Sequence, residues 1–178
     1  MQQEPYRYPS RMSVPVAITH ATVVPMDTER LLFDQTILIE DGSITALAPS
    51  SSVPVESFFT VVDGTGKYVM PGLADMHVHY WSPGDASLFL AHGVTLVRNM
   101  SGAPFHLALQ QQVERGETPG PRIITTSPII EGDSFLLPLW YRATHPVDAE
   151  RIVRECVQRG YEQIKVYNAL TSDTLHAL

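Results

Sequence analysis

The sequence has little cysteine and no long apolar run, and each absence excludes a class of protein. The single cysteine, Cys156, excludes an intramolecular disulfide. No apolar stretch approaches the roughly 20 residues that a membrane-spanning helix requires. Residues 1–13 lack a basic region followed by an apolar one, so we expect no secretion signal and, by default, a cytoplasmic protein.

Basic residues are also scarce, with 12 Lys and Arg against 19 Asp and Glu, a net charge of -7 and a pI near 5.4. This balance argues against nucleic acid or an anionic membrane as a partner. A hydrophobic content of 44% over 178 residues is enough for one core or a small pair of domains. The lysines are Lys67 and Lys165 alone, so the position of each carries information.

The residue pattern over 14–70 predicts a series of short strands, preceded by a polar tail at 1–13. The predicted strands cover residues 16–24, 36–40, 43–47, 58–63 and 68–70. Asp41-Gly42 between two of them is typical of a tight hairpin. Short strands separated by turn residues predict a small β-sandwich domain, in which His20 is an ordinary strand residue.

Strands and helices alternate over residues 71–178. The predicted strands lie at 73–79, 94–99, 121–127 and 161–167, and the predicted helices at 85–92, 104–116 and 148–160. This spacing predicts an α/β unit of parallel strands with right-handed crossovers. Its third helix is expected to bury Cys156 on an apolar face. That face consists of Ile152, Val153, Cys156 and Val157.

A long connection over residues 128–147 joins the third strand to the third helix. Loops of this length are usually functional or disordered, so its side chains either shape a pocket or lie on an exposed surface. The residues concerned are Glu131, Asp133, Trp140, Tyr141, Arg142 and His145.

Two histidines on one apolar run, His77 and His79, form the most informative motif. If the run is a strand, both side chains point to the same face, together with Asp75. Adjacent neutral imidazoles on a rigid strand are suitable ligands for a divalent metal such as zinc. The alternative is a pair that binds nothing, which is common for so short a motif.

Lys165 lies in a short apolar run, with Ile164 and Val166 facing the opposite side. One interpretation is a lysine that protects an edge strand from aggregation. The other is a lysine placed in an interior, where burial lowers its pKa and the neutral amine acts as a nucleophile, a base or an acceptor of carbon dioxide. The residues themselves leave both interpretations open.

Polar residues follow the predicted strands at their carboxyl ends, where the active sites of α/β barrels lie. Arg98 and Asn99 end the second strand, and Tyr167 and Asn168 end the fourth. Together with His145 they are candidates for substrate binding. Packing or anchoring of loops is the alternative role for each of them.

Two further histidines lie in predicted helices. His92 precedes Gly93 at a helix end, where an imidazole can cap backbone carbonyls. His106 lies in a first helical turn and is expected to face solvent. The apolar face predicted for that helix consists of Phe105, Ala108, Leu109 and Val113.

Five motifs in a fixed order resemble the amidohydrolase superfamily of metal-dependent hydrolases, over residues 16–178. They are LIEDGSI at 38–44, DGTGK at 63–67, MPGLADMHVH at 70–79, GVTLVRN at 93–99 and IKVY at 164–167. The sequence is most similar to the imidazolonepropionase-like and prolidase-like branch, whose fourth-strand motif contains a lysine. The resemblance implies a small β-sandwich beside a (β/α)8 TIM barrel.

The resemblance also implies the chemistry of the site. In the family pattern, His77 and His79 bind the more buried of two metal ions, for which zinc is expected. Lys165 reacts with carbon dioxide to give a carbamate that bridges the ions. A carbamate has two anionic oxygens, which suits metals about 3.5–4 Å apart.

The match covers only part of the family pattern. Family barrels have eight strands and typically about 250 residues, whereas four strands are found in residues 72–178. The family takes two further histidines from strands five and six and a catalytic base, an aspartate, from strand eight. None of these can be assigned, so we expect a truncated chain that holds the N-terminal part of the barrel.

Two classes of function follow. The first is a metal-dependent hydrolase of C–N bonds in amides, cyclic amides or dipeptides, seen as its N-terminal half and inactive as this chain alone. The second is a non-catalytic half-barrel module or decayed copy that serves as a scaffold or partner subunit. Open strand edges make association into a homo-oligomer an expectation under either class.

Overall fold

The computed structural model describes residues 14–82, 84–135 and 137–178. Contacts along the chain group it into two compact units, one ending at Pro71 and the other covering Gly72–Leu178. No helix in the described ranges is both long and apolar enough to span a membrane.

The first unit contains one five-stranded sheet. Its strands are β1 (Val16–Val23), β2 (Leu32–Glu40), β3 (Ser43–Pro49), β4 (Thr60–Asp63) and β5 (Tyr68–Val69). The order is β3-β2-β1-β4, and β5 also pairs with β1. The predicted hairpin joins β2 and β3, where Asp41 and Gly42 both have positive φ, of 49° and 73°. These angles match the right-handed twist of the two strands.

His20 departs from ordinary strand geometry. Its φ is 56°, and the pairing of β1 with β2 shifts register between Ile18 and Ala21, so His20 lies in a bulge. Its Nδ1 lies 2.8 Å from Oδ1 of Asp34, which itself has a φ of 50°. A long-range ion pair and a bulge, which a local strand pattern does not reveal, therefore set its conformation.

The second unit alternates strands and helices. Its elements are β6 (Leu73–Val78), α1 (Asp85–Ala91), β7 (Val94–Asn99), α2 (Pro104–Glu114), β8 (Arg122–Glu131), β9 (Tyr141–Arg142), α3 (Pro146–Arg159), β10 (Gln163–Val166) and α4 (Ser172–His176). The strand order is β10-β8-β7-β6, every pair is parallel, and β9 also pairs with β8. The predicted α/β architecture, part of a barrel, is confirmed. The carboxyl ends of β6, β7, β8 and β10 lie along one edge.

Two apolar clusters hold this sheet to its helices. The first packs α1 and α2 on β6, β7 and β8, and the second packs α3 on β8 and the segments around β9 and β10. The first consists of Val78, Tyr80, Ala86, Val97, Leu109, Val113 and Ile123. The second consists of Ile130, Ala143, Ile152, Cys156 and Tyr161.

The long connection is shorter than predicted, because β8 continues to Glu131 rather than ending before Pro128. Proline normally interrupts a strand, since it has no N–H to donate. Here the pairing with β10 shifts register between Gln163 and Lys165, and the N–H of Lys165 donates to Oγ of Ser127 at 3.1 Å. The irregular pairing accommodates Pro128 within the strand.

Helix α3 buries Cys156 as predicted, but not all of the expected face. Cys156 is fully buried, whereas Val157 is 64% exposed and lies outside the apolar face. The helix begins at Pro146, two residues before the predicted start at Asp148. The carboxylate of Asp148 accepts hydrogen bonds from the N–H groups of Thr144 and His145 across the first turn.

Candidate functional site

His77 and His79 lie at the carboxyl end of β6 with their rings close together. The ring centroids are 5.7 Å apart and the planes differ by 31°. His77 is exposed and His79 is half-buried. The carboxylate of Asp75 accepts a hydrogen bond from the backbone N–H of His77 at 3.1 Å, which ties the acid to the strand that carries the pair.

The surroundings of His79 favour its neutral form. Burial lowers the pKa of His79, and the nearby positive charges of His77 and Lys165 lower it further. A neutral imidazole is the form that binds metals. The influence of Lys165 also places its amine within electrostatic reach of His79, although 86 residues of sequence separate the two.

Lys165 is half-buried on β10, which pairs with β8 beside Ile129. Its Nζ lies 5.6 Å from the centroid of the Tyr167 ring, a distance at which an ammonium group is attracted to the ring face. Its position is therefore neither deep in a core nor fully in solvent.

His77, His79 and Lys165 are the predicted metal ligands, and their donor atoms differ in kind. In residues 14–82, 84–135 and 137–178, no group of three or more His, Cys, Asp or Glu side chains is arranged to hold an ion. The histidine pair supplies two nitrogen donors, and a third donor from this set is Lys165, whose free ammonium cannot bind a cation. Only a carbamylated or otherwise deprotonated Lys165 completes three ligands.

Tyr80, the residue after His79, is held by hydrogen bonds at both its backbone N–H and its backbone carbonyl. The N–H of Tyr80 donates to Oδ1 of Asn99 at 3.0 Å, and its carbonyl accepts a hydrogen bond from Nε2 of His106 at 2.7 Å. The amide nitrogen of Asn99 donates to the carbonyl of Ser101 and to Oγ1 of Thr125. Asn99 thus connects the ends of β6 and β7 to Thr125 within β8 and fixes the backbone beside His79.

The remaining candidates for substrate binding are scattered along the same edge. Arg98 donates from Nε to the carbonyl of Met76 at 2.8 Å, and the exposed His145 precedes α3. Tyr167 packs edge-to-face against Trp140, with centroids 5.1 Å apart. Asn168 lies exposed in the turn after β10.

The side chains of the long connection take different roles. Glu131 is buried, and its Oε1 accepts hydrogen bonds from the N–H groups of Gly132 and Ala169, both at 2.8 Å. Arg142 pairs with Asp133 and donates to the carbonyl of Ser134. These contacts hold residues 131–134 against Arg142 and Ala169.

His106 is where the expectation from sequence was wrong. It is 2% exposed rather than solvent-facing, because α2 turns His106, Leu109 and Val113 inward and leaves Phe105 40% exposed. The i, i+3 and i+7 spacing of His106, Leu109 and Val113 marks this inner face. Because a histidine is usually assigned to the solvent side, His106 was not counted towards this face.

A cavity of about 620 Å³ opens beside His79 within the second unit. It extends from Trp81 past Phe105 to Leu139 and Tyr167. Trp81 and Leu139 were not predicted as cavity residues, because single apolar residues in loops carry no periodic pattern.

Comparison with known proteins gave partial matches. No family model matches the chain. A dihydroorotase from Ligilactobacillus salivarius is 40% identical over 70 residues, which cover 35% of this chain and 16% of that enzyme. An imidazolonepropionase from Halobacterium salinarum is 35% identical over 65 residues, which cover 34% of this chain and 16% of that enzyme.

Among solved structures, a Bifidobacterium longum protein assigned as a prolidase superposes with a TM-score of 0.83 at 26% identity. The match covers 93% of this chain and 46% of that one. The chain therefore spans about half the length of this solved relative, and the matched stretches cover about a sixth of the two sequence relatives.

Proposed function

This chain belongs to the amidohydrolase superfamily, and from that premise we propose that it forms the part of a C–N bond hydrolase that carries the histidine pair and the lysine of the metal site. The observation that carries the proposal is the His77–His79 pair, whose ring centroids lie 5.7 Å apart at the carboxyl end of β6, in the same parallel sheet as β10, which carries Lys165. Amides, cyclic amides and dipeptides are the proposed substrate class.

In this proposal, His77 and His79 hold a divalent metal, with zinc as the first candidate, and Lys165 contributes as its carbamate. A divalent metal bound there lowers the pKa of water and polarises a carbonyl. The clamp on Tyr80 by Asn99 and His106 holds the backbone next to His79 and so fixes the point from which the imidazole projects. The lowered pKa of His79 keeps it ready to bind at neutral pH.

We further propose that the 178-residue chain alone has no appreciable hydrolase activity. It holds three of the ligands that the family pattern implies, and no candidate for the aspartate base has been assigned in it. General base catalysis is typically worth about 10²–10⁴-fold, so a site without the base turns over slowly even when it binds metal.

The test is metal binding by the purified chain, measured by calorimetry with zinc or manganese, with and without bicarbonate. His77→Ala and His79→Ala should each weaken metal binding by at least about 10–100-fold. That is the typical loss when only a residue hydrogen-bonded to a metal ligand is removed. His92→Ala is the matched control, because it removes an exposed imidazole from the end of α1.

Lys165→Arg keeps the positive charge but cannot form a carbamate. With ¹³C-labelled bicarbonate and metal, the wild-type chain should show a carbamate carbon resonance that Lys165→Arg lacks. Equal metal binding by wild type, His77→Ala and His79→Ala would overturn the metal site and favour the non-catalytic module. Turnover of an amide panel that His77→Ala abolishes would instead overturn the proposed inactivity.

A further inference from the structure

The cavity beside His79 has largely apolar walls, with His79, Ser101 and His106 as polar exceptions. Aromatic rings of Trp81, Phe105, Trp140 and Tyr167 face it, and Leu139 closes one side. None of the described residues that line it is Asp, Glu, Lys or Arg. A charged group seated against these walls would lose hydration and meet no Asp, Glu, Lys or Arg among the described lining residues, whereas an apolar group would bury its surface at no such cost.

We propose that this cavity binds a large uncharged apolar group of the substrate, an aromatic or branched aliphatic side chain, beside the C–N bond. This inference rests on the proposed function, because it names the substrate class of the same site. The volume of about 620 Å³ falls within the range of small-molecule sites, roughly 300–1,000 Å³.

Ring contacts connect the cavity to the proposed metal ligands at both ends. The Trp81 ring stacks on His79 with centroids 6.0 Å apart and planes 21° apart. At the other end, Tyr167 contacts Trp140 edge-to-face, and the amine of Lys165 lies over the Tyr167 ring. A group bound between these pairs therefore lies next to both segments that carry the reacting site.

The wall residues leave apolar surface in contact with water that a ligand can cover. Trp81 is 74% exposed and Leu139 is 64% exposed. Leu139 also has a φ of 74°, a left-handed conformation that leucine rarely adopts. Such backbone strain persists where the surrounding structure imposes it, and it is concentrated at ligand sites. Here it holds an apolar side chain at the edge of the cavity.

Intrinsic fluorescence tests the proposal directly, because Trp81 and Trp140 are the two tryptophans of the whole chain and both line the cavity. The metal-free chain is titrated with the N-acetyl amides of phenylalanine, leucine, glycine and aspartate. We expect saturable changes with phenylalanine and leucine, and at least about tenfold weaker binding of glycine and aspartate, since each methylene in an apolar pocket contributes about 10–200-fold. No saturable change with any probe, or equal affinities for all four, would overturn the proposal.

A matched pair of substitutions locates the binding. Leu139→Asp places a charge in the wall at a position whose positive φ suits aspartate, so the fold should persist. Phe135→Asp places the same charge on the same connection, at a residue that is 78% exposed and does not line the cavity. Leu139→Asp should weaken the phenylalanine amide at least about tenfold, and Phe135→Asp should bind it as the wild type does.

The two proposals fail separately in this design. Leu139→Asp should retain wild-type zinc affinity, because Leu139 is not a proposed ligand, so loss of the apolar probe with intact metal binding supports the cavity alone. Equal loss of the probe in Leu139→Asp and Phe135→Asp, or no loss in either, would overturn the assignment of the cavity. Failure of zinc binding by the wild type, with probe binding intact, would overturn the metal site and leave the cavity standing.

Discussion

The Nε2 atom of His106 lies 2.7 Å from the carbonyl oxygen of Tyr80, the residue that follows His79. A carbonyl oxygen only accepts hydrogen bonds, so Nε2 carries the proton and Nδ1 has the lone pair. Nδ1 is buried and has no hydrogen-bond partner in the structure. A neutral imidazole on α2 thus holds the backbone at the end of β6.

Burial lowers the pKa of His106, and this predicts a pH-dependent stability. In the unfolded chain the imidazole of His106 binds a proton near pH 6.5, whereas in the folded chain it does so only at a lower pH. The stability that buried, neutral His106 contributes is therefore fully present above about pH 6.5. It is lost as the pH falls through the lowered pKa of the folded state. His79 acts in the same direction, so removing His106 should reduce the dependence rather than abolish it.

Urea unfolding of wild type and His106→Gln between pH 5 and 8 checks this prediction. The variant should be less stable at pH 8, by about 1–2 kcal/mol for a perturbed buried hydrogen bond, and should lose less stability on acidification. His92→Gln serves as the control at an exposed helix end. An unchanged pH slope in His106→Gln would contradict the prediction.

Asn99→Leu should destabilise the second unit by about 2–4 kcal/mol. Leucine removes the acceptor of the Tyr80 N–H and the donor to Ser101 and Thr125, and it leaves buried polar groups without partners. Asn168→Leu, at an exposed turn, should change stability by less than about 0.5 kcal/mol. Chemical unfolding followed by far-UV circular dichroism measures both, and similar values for the two variants would show that Asn99 does not anchor the strand ends.

Glu131 should tolerate loss of its charge but not loss of its oxygen. Glu131→Gln keeps a side-chain oxygen that can accept from the N–H groups of Gly132 and Ala169, so it should cost less than about 1 kcal/mol. Glu131→Ala leaves the N–H of buried Gly132 without a partner, whereas that of exposed Ala169 can turn to water, so the substitution should cost about 1–3 kcal/mol. The comparison is made by urea unfolding at one pH, and equal losses would point to the charge rather than to the hydrogen bonds.

Gly132→Ala should destabilise the chain strongly, because its Cβ would lie 1.8 Å from the carbonyl oxygen of Ala169. Backbone must move to relieve that overlap, which typically costs about 1–3 kcal/mol or more. Gly84→Ala is the control, since the nearest atom to its Cβ would be Oγ of Ser82 at 3.5 Å. The two melting temperatures check the prediction, and equal values would mean that the approach of Gly132 to Ala169 is not tight.

Much of the fold was predictable because its signals are local. The hairpin at Asp41-Gly42 needs two residues of positive φ, and helix α3 ends at Gly160 with a φ of 93°. Boundaries were less accurate where a distant strand intervened. Pro128 predicted a strand end, yet its irregular pairing opposite β10 keeps it within β8.

For the site, the sequence by itself determined which residues share a strand face. His77 and His79 are two apart, and the period of a strand places their side chains together without any distant contact. The apolar face of α3 around Cys156 was likewise visible from the helical period, except for Val157.

Only the tertiary structure decided what surrounds that pair. The charge of Lys165 lowers the pKa of His79 across 86 residues, Asn99 and His106 clamp Tyr80 across 19 and 26 residues, and Leu139 lines the cavity from a loop. Local periodicity carries no information on such contacts. They arise from the order of parallel strands and from the packing of α2 on β8, which bring together residues that are far apart in the chain.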